Sequence, residues 1–430
     1  MTIVFAVLTV LFALIAWMRL PAAVLLMVAL LPSYLLRASV FGVPTTLLEM
    51  MLLLVGAVWL IQNRKRLREL FSLQRRWAVA IALLVLAATI SAIVADNTFA
   101  ALGIWKAYFM EPILFFYLLV DLLRRSQISY DRLRMVLLAG GAVVAVVAVA
   151  QWLTGQGIPI PWDLERRVTG VFDYPNALGL YLGPLAVLAI SSLFLLSKPS
   201  PAPGQEERED LTWRDPSTRW RSLGLIGSFL LFTGALILAE SEAALAALVV
   251  TLVVLGLIRR SMRAWTIALV VLLAMGGFSI PFTRTYLIQK ITLQDVSGQV
   301  RLSQWSETWE LLKDRPVFGA GLSGYPTALV PYHRDTHIEI YQYPHTILFN
   351  IWTELGLLGL VAFFLLLKES VSAIIRSPRT GVWMWLPLFH MSLHGLFDVP
   401  YFKNDLALLT WIFLALFYAS LPRGRHTTDE

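Results

Sequence analysis

Apolar runs long enough to cross a bilayer recur from one end of this chain to the other, and that repetition decides what it can fold into. The runs lie near residues 3–18, 20–36, 45–62, 77–95, 103–122, 135–153, 176–197, 223–240, 242–258, 264–282, 346–367, 382–397 and 406–421. A spanning helix needs about 17–25 predominantly apolar residues. Helices are implied because barrel strands alternate apolar and polar residues, whereas these runs are solid. Of 430 residues, 58% are hydrophobic and 15% charged, and mean hydropathy is +0.70. A soluble domain carries roughly a quarter charged residues. The expected fold is all-α, a polytopic transmembrane bundle of about 12–13 helices, with residues 1–430 as one integral membrane domain. Only Arg19-Leu20-Pro21 divides the first two runs, so the count stays at 12 or 13 and the side of the N-terminus stays open.

The run from Ile3 to Trp17 lacks the basic flank of a secretory signal and is expected to be retained. There is no cysteine, hence no disulfide framework and no thiolate nucleophile or ligand. The formal net charge is +7. In a soluble protein that excess raises the question of nucleic acid. Here it is what basic cytoplasmic loops produce, and no nucleic-acid partner is expected.

The basic connectors are Arg64-Lys65-Arg66-Leu67-Arg68, Arg124-Arg125, Arg259-Arg260 with Arg263, Lys368 with Arg376 and Arg379, and Arg423 with Arg425. Placing them all in the cytoplasm gives one consistent threading, with a cytoplasmic C-terminus in the cytoplasmic (inner) membrane. Residues 198–222, rich in Pro, Glu, Asp and Arg, become a cytoplasmic polar linker. The opposite face receives 154–176, a large loop at 282–345 between the helices near 264–282 and 346–367, and 398–405. Loops as long as the middle one are functional or disordered. Val300, Leu302, Trp305, Trp309 and Leu312 repeat at helical spacing, so it is expected to contain an amphipathic helix ended by Pro316, Gly319 and Gly321.

Chemistry concentrates on that extracytoplasmic face. Five of the six histidines lie there: His333, His337 and His345 in the loop, His390 and His394 near a helix end. A histidine in a wet cleft takes up a proton near neutral pH, as a general base must. Arg166, Arg167, Arg284, Arg301 and Arg334 collect on the same face, against the orientation rule. A guanidinium binds phosphate through paired hydrogen bonds, so an anionic lipid-linked substrate would account for them, as would loop pairs with Asp163, Glu165 or Asp295. Thr346, Asn350 and Glu354 stand four apart on an otherwise apolar helix. Ionisable groups within a membrane face the bundle interior or a wet cavity, although a purely structural polar seam reads the same way. Gly356 and Gly359 would admit a close neighbouring helix. His390, His394 and Asp398 share the four-residue spacing. A metal-ligand set and a hydrogen-bonded pair fixing the helix end are both readings of it, and the second is preferred, with no metal expected. Asp398, Lys403 and Asp405 either hold acceptor hydroxyls or pair with one another and cap the next helix.

Two stretches resemble the O-antigen ligase and polymerase superfamily of membrane glycosyltransferases. One is Arg167-Val-Thr-Gly-Val-Phe-Asp-Tyr-Pro-Asn176. The other runs from Arg301 through Trp305 and Asp314-Arg-Pro-Val-Phe-Gly-Ala-Gly-Leu322 to His345 and Glu354-Leu-Gly-Leu-Leu-Gly359. The resemblance extends over most of the chain as topology and over a smaller part as motif. It implies a C-type glycosyltransferase that needs no metal or other cofactor. Its donor would be a glycan on undecaprenyl pyrophosphate and its acceptor a glycan or lipid hydroxyl, with membrane lipids around it. His345 matches the loop histidine proposed to deprotonate the acceptor, and inversion at the anomeric carbon is expected. Arg301 matches the position that contacts the pyrophosphate, with Arg167 as a second candidate. The cavity mouth would draw on His337, Asn350, Glu354, Asp398, Lys403 and Asp405.

The chain departs from the family in two places. Glu240-Ser241-Glu242-Ala243 stands where ligases carry Ser-Arg-Gly, and His345-Thr346 stands for the family's His-Asn. Arg284, Lys403 or Arg166 is then the candidate to supply the missing charge. A ligase and a polymerase share the donor and differ in the acceptor. A transporter or flippase of lipid-linked sugars is the rival of another class, and a scaffold that has lost activity is the third. Internal repeats, expected of a transporter, are not evident.

Overall fold

The computed structural model describes residues 2–40, 42–196, 216–279, 281–376 and 378–422. Most of the 198–222 linker, and the tail with Arg423, Arg425 and His426, lie outside the described residues. Residues 216–222 open a helix.

Among the described residues, each of the thirteen apolar runs is largely helical. In chain order the helices are α1 (Thr2–Met18), α2 (Leu20–Ala29), α3 (Leu47–Gln62), α4 (Leu67–Leu70), α5 (Arg75–Val94), α6 (Thr98–Ile104), α7 (Glu111–Arg124), α8 (Tyr130–Thr154), α9 (Pro175–Leu196), α10 (Pro216–Leu238), α11 (Glu242–Ile258), α12 (Arg260–Ser279), α13 (Pro281–Ile291), α14 (Val296–Asp314), α15 (Tyr325–Leu329), α16 (Ile347–Arg376), α17 (Pro378–His394) and α18 (Asn404–Ser420). The only strands among the described residues form a hairpin, β1 (Arg37–Val40) and β2 (Val43–Thr46), antiparallel between α2 and α3. Among the described residues, α5, α8, α9, α10 and α16 are each long and apolar enough to span alone, or six if α3 and its bent continuation count together. The apolar helices α1, α2, α11 and α18 are shorter.

Local chemistry sets the helix ends. Thr46 Oγ1 accepts the Glu49 N–H (3.1 Å) at the start of α3, and Ser129 Oγ accepts the Arg132 N–H (3.2 Å) at the start of α8. Gly155 ends α8 at φ +68°, where glycine alone has no Cβ penalty. Helix α9 is buried on nearly every side, as expected of an all-round apolar helix, and packs against α8, α10, α11, α17 and α18.

Contacts between connectors sort to the two ends of the bundle. At the basic end, Gln62 Nε2 meets the Trp17 carbonyl (3.5 Å), Arg125 meets Asn63 (3.2 Å), and the Gln74 N–H donates to Tyr418 Oη (2.9 Å). At the other end, Ser91 Oγ donates to the Glu354 carbonyl and Tyr401 Oη to the Tyr108 carbonyl (2.5 Å).

The long loop is helical and ordered about its own small core of Leu311, Leu312, Ala320, Tyr325, Ala328 and Leu329. Its main helix, α14, forms where the spacing predicted, but a different face is buried. Leu302 and Trp309 are 46% and 44% exposed, while Gln304, Glu307, Thr308, Leu311 and Leu312 face inward. Polar latches decide this. Glu307 accepts the Arg334 N–H (2.8 Å) and the Asp335 N–H (3.2 Å) and meets His333 Nδ1 (3.1 Å), while Thr308 pairs with Tyr325 Oη (2.8 Å).

Gly356 does not admit a neighbouring helix. It breaks α16, at φ +67° and ψ −170°. The backbone of the loop fills the break: the Leu357 N–H donates to the Val317 carbonyl (2.9 Å), and the Ala320 N–H to the Thr353 carbonyl (2.7 Å). The Asp314–Leu322 and Glu354–Gly359 motifs are therefore the two halves of one joint.

Candidate active site

Three separate segments bring charged groups around His345. Trp305 Nε1 of α14 donates to the Pro344 carbonyl (2.9 Å), and the Ile347 N–H donates to the Gly395 carbonyl just past α17 (2.7 Å). Pinned on both sides, His345 holds φ +49°. For a non-glycine residue that costs on the order of 1 kcal/mol and persists only where the surroundings enforce it. Its ring packs edge-on against Tyr341 at 4.9 Å between centroids. The charged groups facing it are Asp398 and Arg301.

Arg301 is tied to two of these segments. Its Nε donates to the Phe397 carbonyl (3.2 Å) and its Nη1 to Ser297 Oγ (2.9 Å), leaving the Nη2 edge outside both bonds. Burial pulls the His345 pKa below the ordinary histidine value; Asp398 raises it and Arg301 lowers it further. The imidazole is thus neutral near pH 7, with a carboxylate beside it able to stabilise the cation that forms when it takes a proton. Burial also raises the Asp398 carboxyl above its usual range, against the opposing pull of His345.

Asp398 links this group to a second one, because Lys403 faces it as well. The Lys403 ammonium lies over three rings, Phe172 (4.5 Å), Tyr34 (5.3 Å) and Tyr174 (5.4 Å). Phe172 and Tyr174 come from the 167–176 motif, so both motif regions converge here. Beneath them Asp405, fully buried in the first turn of α18, faces Lys403 and the tyrosines 34, 108, 174 and 181. No side chain among the described residues hydrogen-bonds either of its carboxylate oxygens; the donors nearest them are the backbone N–H groups of Asp405 and Leu406.

Other candidates sit elsewhere. Arg167 stacks on Trp162 (4.9 Å) and spends its donors on the Ala239 and Glu240 carbonyls at the end of α10 (3.3 and 3.5 Å). Arg166 lies beside Gly155, Arg284 is exposed on α13, and His337 is exposed in the loop. Glu354 is fully buried and accepts the Ser323 N–H (2.7 Å), so it anchors the loop at the α16 break. Asn350 is also fully buried, with neither side-chain polar atom partnered among the described residues. Helix α17 ends at His394, so the four-residue spacing does not carry Asp398 onto the face of His390 and His394. Among the described residues no three metal-ligating side chains of this kind gather.

Sequence reasoning missed Lys290. At the departure from the ligase pattern, Glu242 accepts from Lys290 (2.5 Å) and Tyr286 Oη (2.7 Å), and Lys290 also donates to Asp295 (2.8 Å). Burial works against the Lys290 ammonium, but bonds to Asp295 and Glu242 outweigh it and raise its pKa. A cation therefore stands at the departure, contributed by α13. It is none of the three residues, Arg284, Arg166 and Lys403, that the sequence offers for this charge.

The O-antigen ligase family model matches residues 227–364, from within α10 to just past the break in α16. The match takes in Arg301, His345 and Gly356, and the resemblance to the O-antigen ligase and polymerase superfamily is borne out over that stretch. The fold is that of a multi-pass helical bundle, and over residues 227–364 the chain is similar to the O-antigen ligase family. No curated protein matches the chain.

Proposed function

We propose that the protein transfers a glycan from undecaprenyl pyrophosphate to an acceptor hydroxyl at the extracytoplasmic face of the cytoplasmic membrane, in cell-surface polysaccharide synthesis. The observation that carries this reading is the meeting of His345, Asp398 and Arg301 from three separate segments. Neutral His345 takes the acceptor proton. The acceptor oxygen bonds to the anomeric carbon as the bond from that carbon to the pyrophosphate oxygen breaks, with inversion. Arg301 stabilises the charge growing on the departing pyrophosphate. The aromatic cage and buried Asp405 suit a sugar, whose faces are apolar and whose edges carry hydroxyls. An apolar pocket of about 140 Å³, lined in part by Ile347, Ile351, Tyr401 and Phe402, accommodates the first stretch of the isoprenoid beside the site. A polymerase differs from this reading only in its acceptor.

The pH dependence of transfer tests the cluster. The active base is the neutral form, so the rate falls as pH drops through the His345 pKa. That limb is expected below 6.5, the ordinary histidine value. Arg301 depresses this pKa, so R301Q should move the acid limb up. Asp398 raises it, so D398N should move the limb down. Limbs that stay in place, or move in the same direction in both variants, contradict the assignment.

A further inference from the structure

At the basic end, Asn63 ends α3 and the chain turns by 74° into the Arg64–Leu70 segment. The turn lays that segment across the end of the bundle instead of along it. Between it and the end of α7 lies a recess of about 450 Å³, lined by Arg66, Arg68, Arg124 and Arg125 with Glu69 and Asp121. Four arginines face two carboxylates, and of the two Asp121 is only loosely engaged by them. Trp59 Nε1 holds Asp121 (3.1 Å), while Arg66 and Arg125 approach it only to 4.0 and 3.9 Å. Arg66 donates to Glu69 (2.8 Å), Arg125 to Asn63 (3.2 Å), and Arg124 lies over Tyr418 (4.6 Å). Arg68 is exposed and has no ion-pair partner among the described residues.

The orientation rule accounts for arginines at this end, but not for their convergence on a walled recess. Beside it Leu67 and Phe71 are 42% and 43% exposed, and Phe71 packs on Trp59 and Tyr117. Apolar side chains exposed next to a recess rich in guanidinium groups match an amphiphile whose head is a phosphate. Basic pockets at the membrane surface hold such head groups, and guanidinium pairs with phosphate oxygens through two parallel bonds.

We infer that this recess binds the phosphate head group of an anionic phospholipid, with the acyl chains running over the exposed apolar rim. The test uses the purified full chain in neutral-detergent micelles. Thermal stability is followed as phosphatidylglycerol, phosphatidylcholine or inorganic phosphate is added. Phosphatidylglycerol should raise the melting temperature saturably, and the other two should not. R68Q with R125Q should weaken the phosphatidylglycerol effect about 30-fold in half-saturating concentration, from the loss of two basic groups near the lipid surface. R68Q alone, at an exposed side chain, should give a folded intermediate case. An equal response to inorganic phosphate would overturn the lipid assignment. An unchanged response in the double variant would overturn the site.

Discussion

H345A should lower the rate of glycan transfer by about 10²- to 10⁴-fold, the usual contribution of a positioned general base. That corresponds to about 3–5 kcal/mol of barrier. On the proposed reading the loss should fall on kcat, because that reading assigns the donor pyrophosphate to Arg301 and not to the imidazole. His345 sits at φ +49°, a conformation that Asn tolerates better than Ala. H345N therefore separates loss of the base from strain in the loop. Both variants should be equally slow, and H345N should melt closer to the unsubstituted protein. A slow H345A with an active H345N would mean that backbone geometry, and not proton transfer, was lost.

G356V should be the most damaging single substitution to the fold. At φ +67° and ψ −170° only glycine is comfortable, and a Cβ there would lie 2.3 Å from the Val317 carbonyl oxygen. That oxygen is the acceptor for the Leu357 N–H, so relieving the clash also opens the joint. Strain of about 1–3 kcal/mol adds to the exposure of unpaired backbone groups at about 1–3 kcal/mol each. This is a large share of a total stability of about 5–15 kcal/mol. The expected outcome is a sharp fall in the yield of monodisperse protein. G234A provides the contrast, because nothing lies within 4 Å of a Cβ added there and α10 should accept it without loss. Equal yields for the two variants would show that the break in α16 does not hold the loop.

The helices were legible because apolar runs long enough to span leave little choice of structure. The break at Gly356 was not, since Gly-Leu-Leu-Gly on an apolar helix reads equally well as a packing face. Only the partner segment, Val317 to Ala320, distinguishes the two readings. Glu354 looked functional because an intramembrane carboxylate usually is, yet its visible partner is the Ser323 N–H. His345 and Arg301 stood out through motif and charge. Asp398 was tied by its spacing to His390 and His394, a link that lapses once α17 ends at His394. Lys290 gave no local signal, because its significance rests on Glu242, distant in sequence and adjacent only after folding. Glu307 was hidden for a related reason: a glutamate on a partly polar helix reads as solvated until the 333–335 segment is seen folded onto it.

The measurement that bears most directly on the account uses the purified protein in proteoliposomes loaded with a fluorescent glycan on undecaprenyl pyrophosphate. Acceptor is supplied on one side, and both the bond to the lipid and the leaflet of the label are followed. The expected result is that the glycan leaves the lipid for the acceptor, releasing undecaprenyl pyrophosphate, while intact donor stays in its original leaflet. Intact donor crossing the bilayer with no glycan released would contradict it and identify a transporter.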